Sequence, residues 1–126
     1  MENTTNRRLA PRYQVNIEAK ICKLAPNKPN NTGAVICGGL IHDISITGVS
    51  FLSNEEFNNQ DEICIVKFSF LSEETFYLPV KLIRTGEFPR NIEYKNDYAF
   101  LIDYENNPEE LQKLTLALFK FKMDSV

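Results

Sequence analysis

The chain predicts a mainly β fold, an antiparallel barrel or sandwich closed by one C-terminal helix. Three observations carry this. Apolar and polar residues alternate through most segments between Tyr13 and Glu105, turn residues separate these short segments, and after Asn107 the apolar spacing changes from two residues to that of a helix. With 126 residues, 43% hydrophobic and 25% charged, the composition fits one globular domain with enough apolar side chains for a core.

From Tyr13 the run YQVNIEAKI places Val15, Ile17, Ala19 and Ile21 on one face and polar residues on the other, which is a half-buried strand. APNKPNNTG at 25–33 is dense in Pro, Asn and Gly and reads as a loop. VICGGLIHDIS is the second strand, with a bulge or bend expected at Gly38-Gly39. GVSFLS at 48–53 is the third. EICIVKFSFL at 62–71 is the fourth, with Cys64, Val66, Phe68 and Phe70 on one side. In TFYLPVKLIRTGEF, the fifth, Phe76, Leu78, Val80 and Leu82 share a face, and Pro79 suggests an edge or a bulge. DYAFLIDYE is the sixth. Asn107 suits an N-cap, Pro108 the first helical position, and Glu109 and Glu110 the positive end of the dipole. Leu111, Leu114, Leu118 and Phe121 then form a stripe for packing on the barrel.

Several function classes lose support at this level. There is no run of about 18 apolar residues and no apolar signal-peptide core near the start, so a soluble cytoplasmic protein without membrane insertion is expected. Cys22, Cys37 and Cys64 are odd in number and lack CxxC spacing, which suggests neither a disulfide framework nor a zinc site. They read as apolar fillers or as surface thiols. His42, the one histidine, precedes Asp43, but neighbouring strand residues face opposite ways and no second general base accompanies them, so no catalytic residue is assigned and no enzyme is expected. The acidic pairs at 55–56, 73–74 and 109–110 read as solvent-facing charge.

Charge is unevenly placed. Residues 1–42 hold six Lys/Arg against two Asp/Glu, while residues 43–126 hold eight against fifteen. The sequence pI of about 5.2 argues against a general nucleic-acid binder and for a small anionic ligand met by the arginines of RRLAPRY at 7–13.

Those arginines belong to the first of two motifs. Arg8-Leu-Ala-Pro-Arg12 is an R-x-x-x-R pattern, and DISITG at 43–48 is a D/N-x-S-x-x-G pattern about 30 residues on, across the first strand. In this order and spacing the chain resembles the PilZ domain family. The resemblance implies a six-stranded antiparallel PilZ-type β-barrel with a C-terminal α-helix over residues 7–126, residues 1–6 being a flexible N-terminal tail. It implies binding of the bacterial second messenger cyclic di-GMP, with binding roles for Arg8, Arg12, Asp43, Ser45 and Gly48. Arg7 lies beside the motif, within reach of a phosphate or a second stacked ligand. Where the family often has glycine in its last strand, this chain has Tyr98-Ala99-Phe100.

The residue chemistry agrees with that reading. A guanidinium pairs with phosphate, docks the O6 and N7 acceptors of guanine, or stacks on its face. Asp43 suits the donors of guanine's other edge, Ser45 is expected on the same strand face, and Gly48 to end the strand and admit the ligand close to the backbone. The expected function is that of a cyclic di-GMP receptor or adaptor. It would change its surface on binding and regulate an effector protein in motility, pilus function, biofilm formation or a related process, with no cofactor and no metal. Two alternatives stand beside it. One is a PilZ-like interaction module that binds no nucleotide. The other is an oligonucleotide-binding barrel, which calls for stacking aromatics on a polar sheet face, whereas most Phe and Tyr here fall at apolar-face positions.

Overall fold

The computed structural model describes residues 11–57, 62–70, 74–87, 94–103, 105 and 107–124. Six strands, β1 (Tyr13–Leu24), β2 (Thr32–Ile44), β3 (Gly48–Ser53), β4 (Ile63–Phe70), β5 (Glu74–Glu87) and β6 (Asn96–Ile102), precede one helix, α1 (Pro108–Asp124). All pairings are antiparallel, and the strands close into a barrel in the order β1-β2-β3-β6-β5-β4. The alternative of a sandwich is thereby decided: β1 bonds to β2 on one side and β4 on the other.

The β1–β2 connection follows its composition. The Ala25 N–H donates to the Asn31 carbonyl at 2.8 Å, and Pro29–Asn31 form a 3-10 turn. Asn30 and Asn31 both lie at φ 56°, a left-handed conformation that asparagine tolerates better than most residues.

Two expectations about special residues need correction. Gly38 and Gly39 stand in unbroken register with Lys20 and Ala19, so no bulge occurs there. Gly39 instead serves a close approach, because a Cβ on it would lie 2.0 Å from the Leu52 carbonyl oxygen of β3. Pro79 is likewise neither on an edge, since a closed barrel has none, nor at a bulge. It sits where the β5–β6 ladder ends, one residue beyond the Val80–Ile102 pair, and its carbonyl still accepts the Asp103 N–H at 2.8 Å. The missing N–H falls at the ladder's end, where the loss is smallest.

Register irregularities occur elsewhere, three along the β1–β2 ladder and one in each of the β2–β3 and β5–β6 ladders. Ile41 pairs with Phe51 and Asp43 with Ser50, leaving His42 as an extra residue in β2; Leu82 pairs with Phe100 and Arg84 with Ala99, leaving Ile83 as an extra residue in β5. Ile41 and Ile44 are both fully buried, so His42 and Asp43 together face outward. The expectation that His42 and Asp43 face opposite ways is therefore overturned by the bulge.

The inward faces make one core. Phe51, Phe76, Phe100, Ile21, Ile41, Leu78 and Val66 are essentially inaccessible, and Phe68 stacks on Phe76 with ring centroids 5.2 Å apart. Cys22, Cys37 and Cys64 are free thiols inside this core, which selects the apolar-filler reading over the surface one.

Helix α1 covers one end of the barrel. Asn107 caps it, its side-chain oxygen accepting the Glu110 N–H at 3.3 Å. Leu114 and Leu118 are buried, and Phe121 meets Tyr13 and Phe70 at centroid distances of 5.8 and 5.5 Å. Glu110 corrects the solvent-facing reading of its acidic pair, since it is only 8% exposed. Its carboxylate accepts the Tyr77 N–H at 2.7 Å and meets the Lys113 ammonium at 3.2 Å. Lys113 also donates to the Thr75 carbonyl at 3.2 Å and lies 5.0 Å from the Phe76 ring centroid. The helix is thus hydrogen-bonded to the part of β5 that β6 does not reach.

Candidate functional site

Arg12, the last residue of the first motif, meets the second motif through the register of one hairpin. Tyr13 pairs with Ile44, so Arg12, one residue before β1, arrives beside the residues that follow β2. The Arg12 Nη1 lies 3.3 Å from Asp43 Oδ2. The side chain of Arg12 is 47% exposed and that of Asp43 21%, so both retain surface for a further partner. Arg7 and Arg8 lie outside the described residues.

Ser45 and Gly48 take places that the strand pattern does not foretell. Ser45 lies past the end of β2 and is only 3% exposed, so it does not share an outer strand face with Asp43. Its hydroxyl oxygen accepts the N–H groups of Thr47 at 3.1 Å and Gly48 at 3.2 Å and lies 2.9 Å from the Thr47 hydroxyl. The Ser45 N–H donates to the Gly48 carbonyl at 2.9 Å. Serine at this position therefore locks the β2–β3 turn. Gly48 begins β3 rather than ending a strand, and the close neighbour that requires it is protein: a Cβ would lie 2.7 Å from the Phe100 carbonyl oxygen.

Around this turn is a small open cavity of about 110 Å³, whose lining includes Arg12, Asp43, Ser45, Thr47, Gly48 and Ser50 together with Ile83, Ala99 and Leu101. That volume is well under the roughly 300–1,000 Å³ of an enclosed ligand pocket. Thr47, Ser50, Ile83 and Leu101 were not singled out from the sequence. The usable signal was that Ile83 and Leu101 are apolar residues at outward positions of strands whose alternate residues already fill the core.

His42 turns away from any serine-based arrangement, its Nε2 lying 3.4 Å from Asp97 Oδ1. Among the described residues no group of three or more His, Cys, Asp or Glu is placed to hold a metal ion. Burial pushes the Cys64 thiol up to about 12 and the Cys37 thiol up to about 11, so the core thiols are neutral groups with no nucleophilic character at ordinary pH. Among the described residues no helix is long and apolar enough to cross a membrane.

The architecture has solved counterparts. The PilZ domain of CeSA from a cellulose-synthesizing bacterium superposes with a TM-score of 0.60 at 18% identity, over 86% of this chain and 95% of that one. The inhibitor of motility MotI/DgrA of Bacillus subtilis superposes with a TM-score of 0.58 at 13% identity, over 90% of this chain and 52% of that one, so this chain spans about half of MotI/DgrA. No family model matches the sequence, and no curated protein matches it. The chain has a PilZ-like fold, the six-stranded antiparallel barrel with one C-terminal helix.

Proposed function

We propose that this chain is a cyclic di-GMP receptor, a non-enzymatic module that regulates an effector protein according to whether ligand is bound. The observation that carries the reading is that Arg12 of the first motif lies within 3.3 Å of Asp43 of the second, beside a turn locked by Ser45, in a barrel like that of a PilZ domain. Arg12 supplies a fixed positive charge and a planar fork for phosphate or for the O6 and N7 acceptors of guanine. Asp43 accepts from the N1-H and N2-H of the opposite edge. Arg8, four residues before Arg12, and Arg7 beside it supply the second cation from the preceding arm.

On this reading binding is the chemistry, and no bond is made or broken. Ligand bridges the arm to the barrel surface, and an effector that prefers the bridged form binds more tightly in consequence. Association is with a compact dinucleotide, not with nucleic acid. The barrel phenylalanines Phe51, Phe68, Phe70, Phe76 and Phe100 all point inward, which leaves no row of them outside for stacking a single strand.

Isothermal titration with cyclic di-GMP, and in competition with cyclic di-AMP, tests the proposal. Cyclic di-GMP is expected to bind and cyclic di-AMP to bind far more weakly, because adenine lacks O6 and the two donors facing Asp43. Absence of cyclic di-GMP binding would leave an interaction module of the same fold that takes no nucleotide.

A further inference from the structure

The geometry points to a second half of the binding site that neither motif contains, an apolar shelf formed by Ile83, Ala99 and Leu101 on which one guanine of the ligand lies flat. The inference rests on the proposed function and deepens it by naming the residues that select a planar base rather than a bare phosphate.

Exposure singles these residues out. Ile83 is 54% exposed and Leu101 47% exposed, and both line the cavity shared with Arg12 and Asp43. On the described strands Val35 is the remaining large apolar residue of comparable exposure. A single exposed aliphatic side chain is ordinary, but two lining one polar cavity are a surface of definite chemistry.

Backbone features build the shelf. The β5 bulge makes Ile83 an extra residue between Leu82, which faces the core, and Arg84, which pairs with Ala99. Ala99 stands between Ser50 of β3 and Arg84 of β5, and its single methyl keeps the floor low. Leu101 pairs directly with Gly48, whose lack of a side chain leaves the way open from Leu101 to the motif turn. One continuous surface around the cavity of about 110 Å³ therefore joins the polar groups of Arg12, Asp43, Thr47 and Ser50 to the apolar ones of Ile83, Ala99 and Leu101.

A purine has the matching construction, with hydrogen-bonding groups at its edges and apolar faces. Edge contacts alone would be made in competition with water. A floor that covers one face excludes that water and makes the hydrogen bonds of Asp43 and Arg12 count for more. Phosphate gains nothing from such a floor.

Titration of cyclic di-GMP into the unaltered protein and into Ile83→Asn, Leu101→Asn and Val35→Asn variants tests the shelf. Ile83→Asn and Leu101→Asn should each weaken binding by about fivefold, the effect of losing roughly half-buried aliphatic surface, while Val35→Asn should bind as the unaltered protein does. Thermal melts should show that these exposed substitutions leave the fold in place. In methyl NMR of the unaltered protein, Ile83 and Leu101 signals should shift on saturation and those of Val35 should not. Tight binding by the unaltered protein with unchanged affinity in Ile83→Asn and Leu101→Asn would overturn the shelf alone. No binding by the unaltered protein would overturn the proposed function and the shelf with it.

Discussion

Arg12 and Asp43 form a partly exposed ion pair at 3.3 Å, and the four motif residues described by the structure divide into two kinds. Arg12 and Asp43 are exposed enough to meet a ligand, whereas Ser45 and Gly48 hold the turn that presents them. The division makes opposite predictions. Arg12→Ala should weaken cyclic di-GMP binding by about 1.5–3 kcal/mol, tenfold or more, because a hydrogen bond to a charged group is lost. It should leave stability nearly unchanged, since an exposed ion pair is worth about 0–1 kcal/mol. Ser45→Ala should do the reverse first: the N–H groups of Thr47 and Gly48 lose their acceptor, and urea melts should show a loss of about 1–3 kcal/mol. Gly48→Ala should cost a similar 1–3 kcal/mol, by forcing Phe100 backbone away from the new methyl. Wild-type affinity in Arg12→Ala by calorimetry would remove Arg12 from the site. Wild-type stability in Ser45→Ala would mean that the turn does not depend on its hydroxyl. The motif positions were legible in the sequence as a spacing, but the work of Ser45 was not, because period-two reasoning stops at Ile44 and the chain turns there.

Among the elements, the first, fourth and fifth strands were legible from alternation, and the departures arise where the backbone leaves that period. The β2 bulge puts His42 and Asp43 on the same side, and the β5 bulge puts Arg84 on the outer surface beside Ile83. An extra residue in a ladder depends on the partner strand, so it has no signature in one segment read alone. The helix was legible in its cap and stripe, Asn107 and Leu114–Leu118, but Glu110 was misread because its partner is a backbone N–H on β5, 33 residues away. That bond sets a prediction. Glu110→Ala should leave the Tyr77 N–H without its acceptor and lower stability by about 1–3 kcal/mol, read as a fall in melting temperature of several degrees. Glu110→Gln should lose less, since the amide oxygen still accepts. Equal melting temperatures for Glu110→Ala and the unaltered protein would show that apolar packing by Leu114 and Leu118 holds the helix without the bond.

For the whole molecule, the burial that defines the barrel also sets how it responds to pH. Closure places Cys22, Cys37 and Cys64 in the interior; the alternation of β4 puts Cys64 on the face of Val66, Phe68 and Phe70, but for Cys22 and Cys37 a surface thiol was equally compatible with the sequence. Burial raises the Cys64 thiol from about 9 to about 12, with negative charge at neighbouring groups adding to it, and a hydrogen bond to the Val80 carbonyl at 3.8 Å uses the thiol proton. Burial raises Cys37 to about 11, with the charge of Glu55 in the same direction and a hydrogen bond with Ser53 opposing it. Cys22 and the Tyr98 phenol are also raised, chiefly by burial. The sign follows from which state binds the proton. Below about pH 9 folded and unfolded thiols are both protonated and this source of stability is fully present. Above it the unfolded chain releases protons that the folded chain retains, so stability falls with rising pH until the folded groups ionise in turn. Each such thiol contributes a slope of up to about 1.4 kcal/mol per pH unit. For Cys37 and Cys64 together, a loss of about 2 kcal/mol is expected between pH 9 and pH 10. Urea melts at pH 7, 8, 9 and 10 should therefore be level to about pH 8 and decline beyond it. In Cys64→Ala the absolute stability drops because the side chain is in the core, but the decline between pH 9 and pH 10 should be shallower by about 1 kcal/mol. The change in slope is the decisive quantity, because a packing defect lowers the curve at every pH without tilting it, and an unaltered slope in Cys64→Ala would show that this thiol does not stay protonated in the folded barrel.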